Sequence, residues 1–192
     1  NAQSRVVEEF FMRVGIPYKV VGGTRFYDRK EIKDALAYLK AVANPADEVS
    51  VKRVLNVPKR GVGDTTVGKL DVYANAHGIS FTQALQQAAD AGVGAAALKG
   101  INTFLGLMDQ WRDRTGEGPG PLLQAIITES GYAAELEAEK SVEAEGRIEN
   151  LGELVGAAQE FASVDEFLEQ VSLVADSDQI DGDESRVVLM TL

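Results

Sequence analysis

The sequence predicts a mainly α chain: a multi-helix domain with helix-hairpin-helix-like elements and short terminal strands. Three observations carry this. Apolar residues recur at helical spacing in most of the longer segments. Gly-x-Gly, Asn-Pro and Gly-Pro punctuation separates those segments, in a chain with nineteen glycines and five prolines. Strand-like runs occur only near residues 18–27 and at 187–192.

Val7, Phe10, Phe11 and Val14 lie at i, i+3, i+4 and i+7, so residues 2–14 read as a helix stopped by Gly15 and Pro17. Residues 18–21 read as a strand running into Gly22-Gly23. Ile32, Leu36, Leu39 and Val42 give a helix over 29–43, ended by Asn44-Pro45. A short helix over 49–55 and a turn at 56–61 follow, then a helix over 64–77 with Asp64 or Thr65 as its cap and Gly78 as its stop. Ser80 caps a helix over 81–90, and 95–113 is a longer one. Residues 115–121 form a Gly/Pro loop. Helices follow at 122–130, 132–139, 145–162 and 165–176, with a polar linker over 177–185 and a last strand into Leu192. The chain starts directly in a helix without Met and stops in a strand with no neighbour, which reads as a piece excised from a larger protein.

Cysteine is absent and His77 is the one histidine, which excludes disulfide scaffolds, thiolate metal sites and multi-histidine metal centres. No apolar run reaches the ~20 residues of a membrane span, and no leader pattern opens the chain; the expected setting is cytoplasmic, with no membrane partner. The net charge of −11 is unevenly spread. Residues 1–60 hold twelve Lys/Arg against seven Asp/Glu, residues 61–120 four against six, and residues 121–192 three against seventeen. A basic front can attract phosphate while an acidic back repels it.

The strongest chemical pattern is Lys52-Arg53-Val-Leu-Asn56-Val-Pro58-Lys59-Arg60-Gly61-Val62-Gly63-Asp-Thr65-Thr66. Four basic residues precede a Gly-x-Gly turn and two hydroxyls follow it. Such a turn exposes backbone amides at a helix N-terminus, where a phosphate can sit, and phosphate contacts of this kind position a protein without reading bases. A helix-linking turn with solvated charges fits the same residues. Gly92-Val93-Gly94 echoes the turn thirty-one residues on; with only Lys99 nearby, it reads as a packing turn. A second candidate surrounds Phe26 and Tyr27 with Arg25, Arg29, Lys30 and Lys33, suited either to a nucleic-acid backbone or to an aromatic core pair beside a Lys30–Asp34 ion pair. It is not a phosphate loop of the Gly-Lys-Ser/Thr kind. A third is Arg147 and Asn150, at the start of a helix whose buried stripe is Ile148, Leu151, Val155 and Ala158. Asp176–Gly182 imitates a calcium loop, but its third acid and its glycine each fall one position late, and Val187 stands where the closing glutamate belongs. The acidic run Glu135, Glu137, Glu139, Glu143 and Glu145 is expected to face away from the hairpin, because carboxylates within a Debye length (about 8 Å) would oppose phosphate.

Taken in order, Asn-Ala-Gln-Ser-Arg (1–5), Gly-Gly-x-x-Phe-x-x-Arg-x-Glu-Ile-Lys-Asp (22–34), Asn-x-Pro-x-Arg-Gly-x-Gly (56–63), Arg-x-Glu-Asn-Leu-x-Glu-Leu (147–154) and Leu-Met-Thr-Leu (189–192) resemble the UvrD/PcrA/Rep helicases of superfamily 1A along the whole chain. The resemblance implies the mobile 2B subdomain over 22–185, with a lead-in from the 2A motor subdomain over 1–21 and a strand returning to 2A over 186–192. It implies a parent that is an ATP-dependent 3′ to 5′ DNA helicase of DNA repair. ATP and magnesium would be held outside this chain, which would carry no cofactor and no catalytic residue of its own. The partners it implies are duplex DNA at a single-strand/double-strand junction, the other subdomains and a second helicase copy. Carried over residue by residue, the duplex grip falls on Lys59, Arg60, Gly61, Val62, Gly63 and Thr66, with Thr65 beside it; the family usually has Ile where Val62 stands. Arg25, Arg29, Lys33, Arg147 and Asn150 are further candidates for DNA or interdomain contacts. A protein-interaction module without appreciable DNA binding is the alternative. A stand-alone helix-hairpin-helix glycosylase lacks its catalytic pocket here.

Overall fold

The computed structural model describes residues 10, 14, 18–21, 26–177 and 187–190. Most of the expected helix over 2–14, the Gly22-Gly23 turn, Arg25 and the linker beyond Ser177 lie outside them.

The chain is mainly helical. The described elements are β1 (Tyr18–Val21), a 3-10 turn at Phe26–Asp28, α1 (Lys30–Ala43), α2 (Glu48–Val54), α3 (Asp64–His77), α4 (Phe81–Gln86), α5 (Ala95–Asp113), a 3-10 turn at Thr115–Glu117, α6 (Pro119–Glu129), α7 (Tyr132–Glu139), α8 (Val142–Ala158), α9 (Val164–Ser177) and β2 (Val187–Met190). The last strand, expected to lack a neighbour, does have one: β1 and β2 pair in parallel, Tyr18 opposite Val187 and Val21 opposite Met190. Parallel neighbours need a long crossover, and here the crossover contains the whole helical body.

α1 is the central helix, packed against α2, α5, α6, α8 and α9. Ten of its fourteen residues are buried, as befits a helix surrounded on most sides. Its Tyr38 meets Trp111 of α5 edge-on at 5.7 Å between ring centroids. Phe26, Phe81, Phe104 and Phe167 complete an aromatic core contributed by four separate segments.

Several boundaries differ from the sequence reading. α3 is capped by Gly63, which has no side chain to offer, and Asp64 is its first helical residue. α4 stops at Gln86, because the amides of Ala88 and Asp90 bond three residues back and tighten the chain toward Gly92. α6 starts at Pro119, where proline's missing N–H costs nothing. α8 starts at Val142, because Ser141 accepts from the Ala144 amide at 3.1 Å and caps it earlier.

Candidate nucleic-acid interface

The turn between α2 and α3 is built by its own side chains. Asn56 Oδ1 accepts from the backbone amides of Arg60 (2.7 Å) and Val62 (3.2 Å), folding residues 56–62 around one amide group. The Val57-Pro58 peptide is cis. Gly61 has φ +74°, a left-handed conformation that glycine adopts without strain. Val62 turns inward and is 2% exposed, anchoring the tip, whereas Gly61, Gly63 and Thr65 are exposed and Thr66 is half-buried. With Gly63 as cap, no side chain covers the first amides of α3. The Asp64 and Thr65 amides thus have no side-chain cap at the positive end of the helix dipole, while the Thr66 amide donates back to the Gly63 carbonyl at 2.9 Å.

The four basic residues of this segment have different fates. Lys52 pairs with Asp71 at 2.7 Å and with Glu48 at 3.6 Å. The Asp71 bond is the main cause of its raised pKa. Arg53 grips the buried Asp34, its Nε and Nη2 both 2.8 Å from Oδ1. Arg60 points into the fold: Nη1 lies 3.0–3.3 Å from the carbonyl oxygens of Val54, Leu55, Val57 and Pro58. Its Nη2 donates to the Tyr38 hydroxyl at 2.7 Å and reaches the Ser130 carbonyl at 3.4 Å. The Tyr38 hydroxyl in turn donates to the Val57 carbonyl. Burial pushes the Tyr38 hydroxyl up to about 12, against the opposing pull of Arg60. Arg60 thus secures the turn from within, and Lys59 is the exposed cation at its tip.

The turn rests on α5. A Cβ at Gly100 would stand 2.1 Å from the Arg60 carbonyl oxygen, so only glycine lets helix and turn approach this closely. The second Gly-Val-Gly repeats the first in conformation: Gly92 has φ +70°, Val93 is 7% exposed, and Gly94 caps α5 in the extended region. The two turns are neighbours, since Lys69 of α3 donates to the Gly92 carbonyl at 3.1 Å. The echo in the sequence is a structural repeat.

The further candidates separate. Arg29 donates to Asn150 Oδ1 at 2.5 Å, and Asn150 Nδ2 donates to the buried Glu31 at 2.6 Å, so these residues tie α8 to the start of α1. Lys33 pairs with Asp28 at 2.7 Å. The Lys30–Asp34 pair does not form, because Asp34 turns inward to Arg53 and to the Tyr132 hydroxyl, which donates to Oδ2 at 3.1 Å. Burial and then the neighbouring Asp34 raise the Tyr132 pKa strongly. Arg147 reaches Glu139 at 3.5 Å.

The expected placement of the acidic run fails for two of its five glutamates. Glu135 and Glu139 line the same cleft, of about 380 Å³, as Lys30, Lys59 and Arg147. α7 follows directly on Ser130, whose carbonyl Arg60 reaches, and this connection carries the acids beside the turn. Sequence reasoning also missed Gly100. Gly100 sits amid ordinary helix formers, and only its approach to Arg60 marks it.

Among known proteins, residues 1–93 match the UvrD-like helicase C-terminal domain. Over its full length the chain is 42% identical to the ATP-dependent DNA helicase PcrA of Bacillus subtilis, of which it covers 28%. It is likewise 42% identical to the ATP-dependent DNA helicase UvrD1 of Mycobacterium tuberculosis (28% covered) and 39% identical to PcrA of Staphylococcus aureus (27% covered). The chain is similar to a segment of these helicases and spans just over a quarter of their length.

Proposed function

We propose that this chain is the 2B accessory subdomain of an ATP-dependent 3′ to 5′ DNA helicase of DNA repair, and that it grips duplex DNA ahead of a single-strand/double-strand junction. The observation that carries the reading is the turn at 56–66 between α2 and α3, which we read as a helix-hairpin-helix element. It presents Lys59, the exposed glycines and Thr65 and Thr66 around the uncapped amides of α3. These groups suit backbone phosphate and read no base edge. Arg60 and Val62 belong to the same element as the residues that hold it in shape. The parallel β1–β2 pair supports the domain reading, because the helical body lies between two adjacent strands as an inserted subdomain does.

Nucleotide chemistry belongs to the rest of such a helicase. The sequence has no Gly-Lys-Ser/Thr phosphate loop, and among the described residues no group of three His, Cys, Asp or Glu could hold a metal ion. The chain by itself should show no DNA-stimulated ATP turnover. Contacts with the motor subdomains or a second helicase copy belong to the same proposal.

The test is a duplex-binding titration against salt. Replacing Lys59 and Thr66 by Ala should weaken binding with helicity intact and flatten the log–log salt slope by roughly 0.9, one phosphate contact. An unchanged affinity and slope would sink the hairpin as the grip. No salt-dependent duplex binding by the unaltered chain would favour the protein-interaction module instead.

A further inference from the structure

The cleft beside the hairpin has a charge arrangement that folding alone does not explain. Lys30 comes from the first turn of α1, Lys59 from the hairpin and Arg147 from α8, and all three line one cleft of about 380 Å³. Lys30 stands at the N-terminus of its helix, where the dipole is positive and a cation is disfavoured. Arg29, the residue at the cap position, makes no side-chain cap there. Three of the nearby acids are occupied elsewhere, since Asp28 holds Lys33, Glu31 receives Asn150, and Asp34 receives Arg53, while Glu135 and Glu139 line the cleft itself. Neither Lys30 nor Lys59 has a carboxylate at salt-bridge distance among the described residues. Arg147 alone is paired, by a long 3.5 Å contact to Glu139 in which both side chains are partly exposed. Three cations against two carboxylates leave the cleft with an excess of positive charge, and an anion beside Lys30 and Lys59 would relieve it.

We propose that this cleft is a second phosphate-binding subsite. It takes a backbone phosphate of the same duplex that the hairpin holds, and the Glu139 carboxylate occupies Arg147 until that phosphate arrives. The proposal rests on the duplex-binding reading and adds Lys30 and Arg147 to it. Tyr132 and Leu136 also line the cleft. Glu135, on the same helix as Glu139, keeps the empty cleft near neutrality and weakens non-productive anion binding. The acids beside the hairpin thus temper its affinity.

Duplex affinity is measured against salt for the full chain and for Lys30→Ala, Glu139→Gln and Thr66→Ala; Thr66 lies on the hairpin outside the cleft. Lys30→Ala should lower the salt slope by about 0.9. Glu139→Gln frees Arg147 and should tighten binding roughly two- to fivefold at low salt, the range of an exposed ion pair, with the gain fading as salt rises. If Thr66→Ala weakens binding while Lys30→Ala and Glu139→Gln change nothing, the subsite is refuted and the hairpin stands. If Thr66→Ala is silent while the other two act as described, the subsite stands and the hairpin reading fails. A second measurement does not depend on any variant. Inorganic pyrophosphate titrated into labelled protein should shift the side-chain NMR signals of Lys30, Lys59 and Arg147 together. Shifts spread evenly over all lysines, or none, would overturn the proposal.

Discussion

Gly100 and Gly106 lie on the same helix, and the structure assigns their replacement by alanine opposite signs. In a helix interior, Gly→Ala normally stabilises by about 1 kcal/mol through backbone entropy. At Gly106 nothing lies within 4 Å of the new methyl, so the full gain should appear. At Gly100 the methyl would stand 2.1 Å from the Arg60 carbonyl oxygen and 3.1 Å from the Arg60 carbonyl carbon. An ordinary C···O contact is about 3.3 Å, so the hairpin or α5 must shift by roughly 1 Å. The blocking atom is backbone and cannot rotate away, and the Arg60 guanidinium fastens that backbone to its surroundings. Overpacking of this kind costs about 1–3 kcal/mol, and the upper end applies to a fixed obstacle. After the propensity gain, Gly100→Ala should destabilise by about 2 kcal/mol. For a domain of this size that lowers Tm by about 4–8 °C, whereas Gly106→Ala should raise it by about 2–4 °C. Thermal unfolding followed by far-UV circular dichroism measures both. A Gly100→Ala protein stabilised as much as Gly106→Ala would refute the close approach and the support it gives the hairpin.

Arg60→Ala should cost about 3 kcal/mol in urea unfolding, because it removes roughly three effective hydrogen bonds and leaves carbonyls around the turn without that donor; a loss under 1 kcal/mol would mean that the guanidinium does not secure the turn. Tyr132→Phe should cost about 1 kcal/mol, since Asp34 keeps Arg53 as partner, and a neutral result in the same assay would deny the Tyr132–Asp34 bond any net worth. Glu129 is held below the usual carboxylate range first by the Trp111 indole N–H at 2.7 Å and then by Arg114 at 2.8 Å. Its contribution is therefore present above about 4.5, the ordinary value, and is lost as pH falls through the lowered one. Glu129→Gln should lower stability near neutrality and flatten the acid limb of a stability–pH profile; an unaltered acid limb would show that this carboxyl does not contribute.

The helices were legible where local rules dominate. The bounds of α3, α5 and α7 follow from apolar spacing and from glycine punctuation at Gly78, Gly94 and Gly131, because these signals act within a few residues. The turn at 56–63 was legible for the same reason: Asn56, Pro58 and the two glycines organise one another at short range. Which cations remain free was not legible. Lys52, Arg53, Lys59 and Arg60 look alike in sequence, yet the partners that separate them, Asp71, Asp34, Tyr38 and Ser130, come from α3, α1 and the α6–α7 junction. Likewise Arg147 and Lys59 are far apart in the chain and meet only through the packing of α7 and α8 beside the hairpin. The sequence by itself determined the helical class and the turn, both set by short-range backbone preference. The tertiary structure decided which charges that turn presents, because a charged side chain's availability depends on every element packed against it.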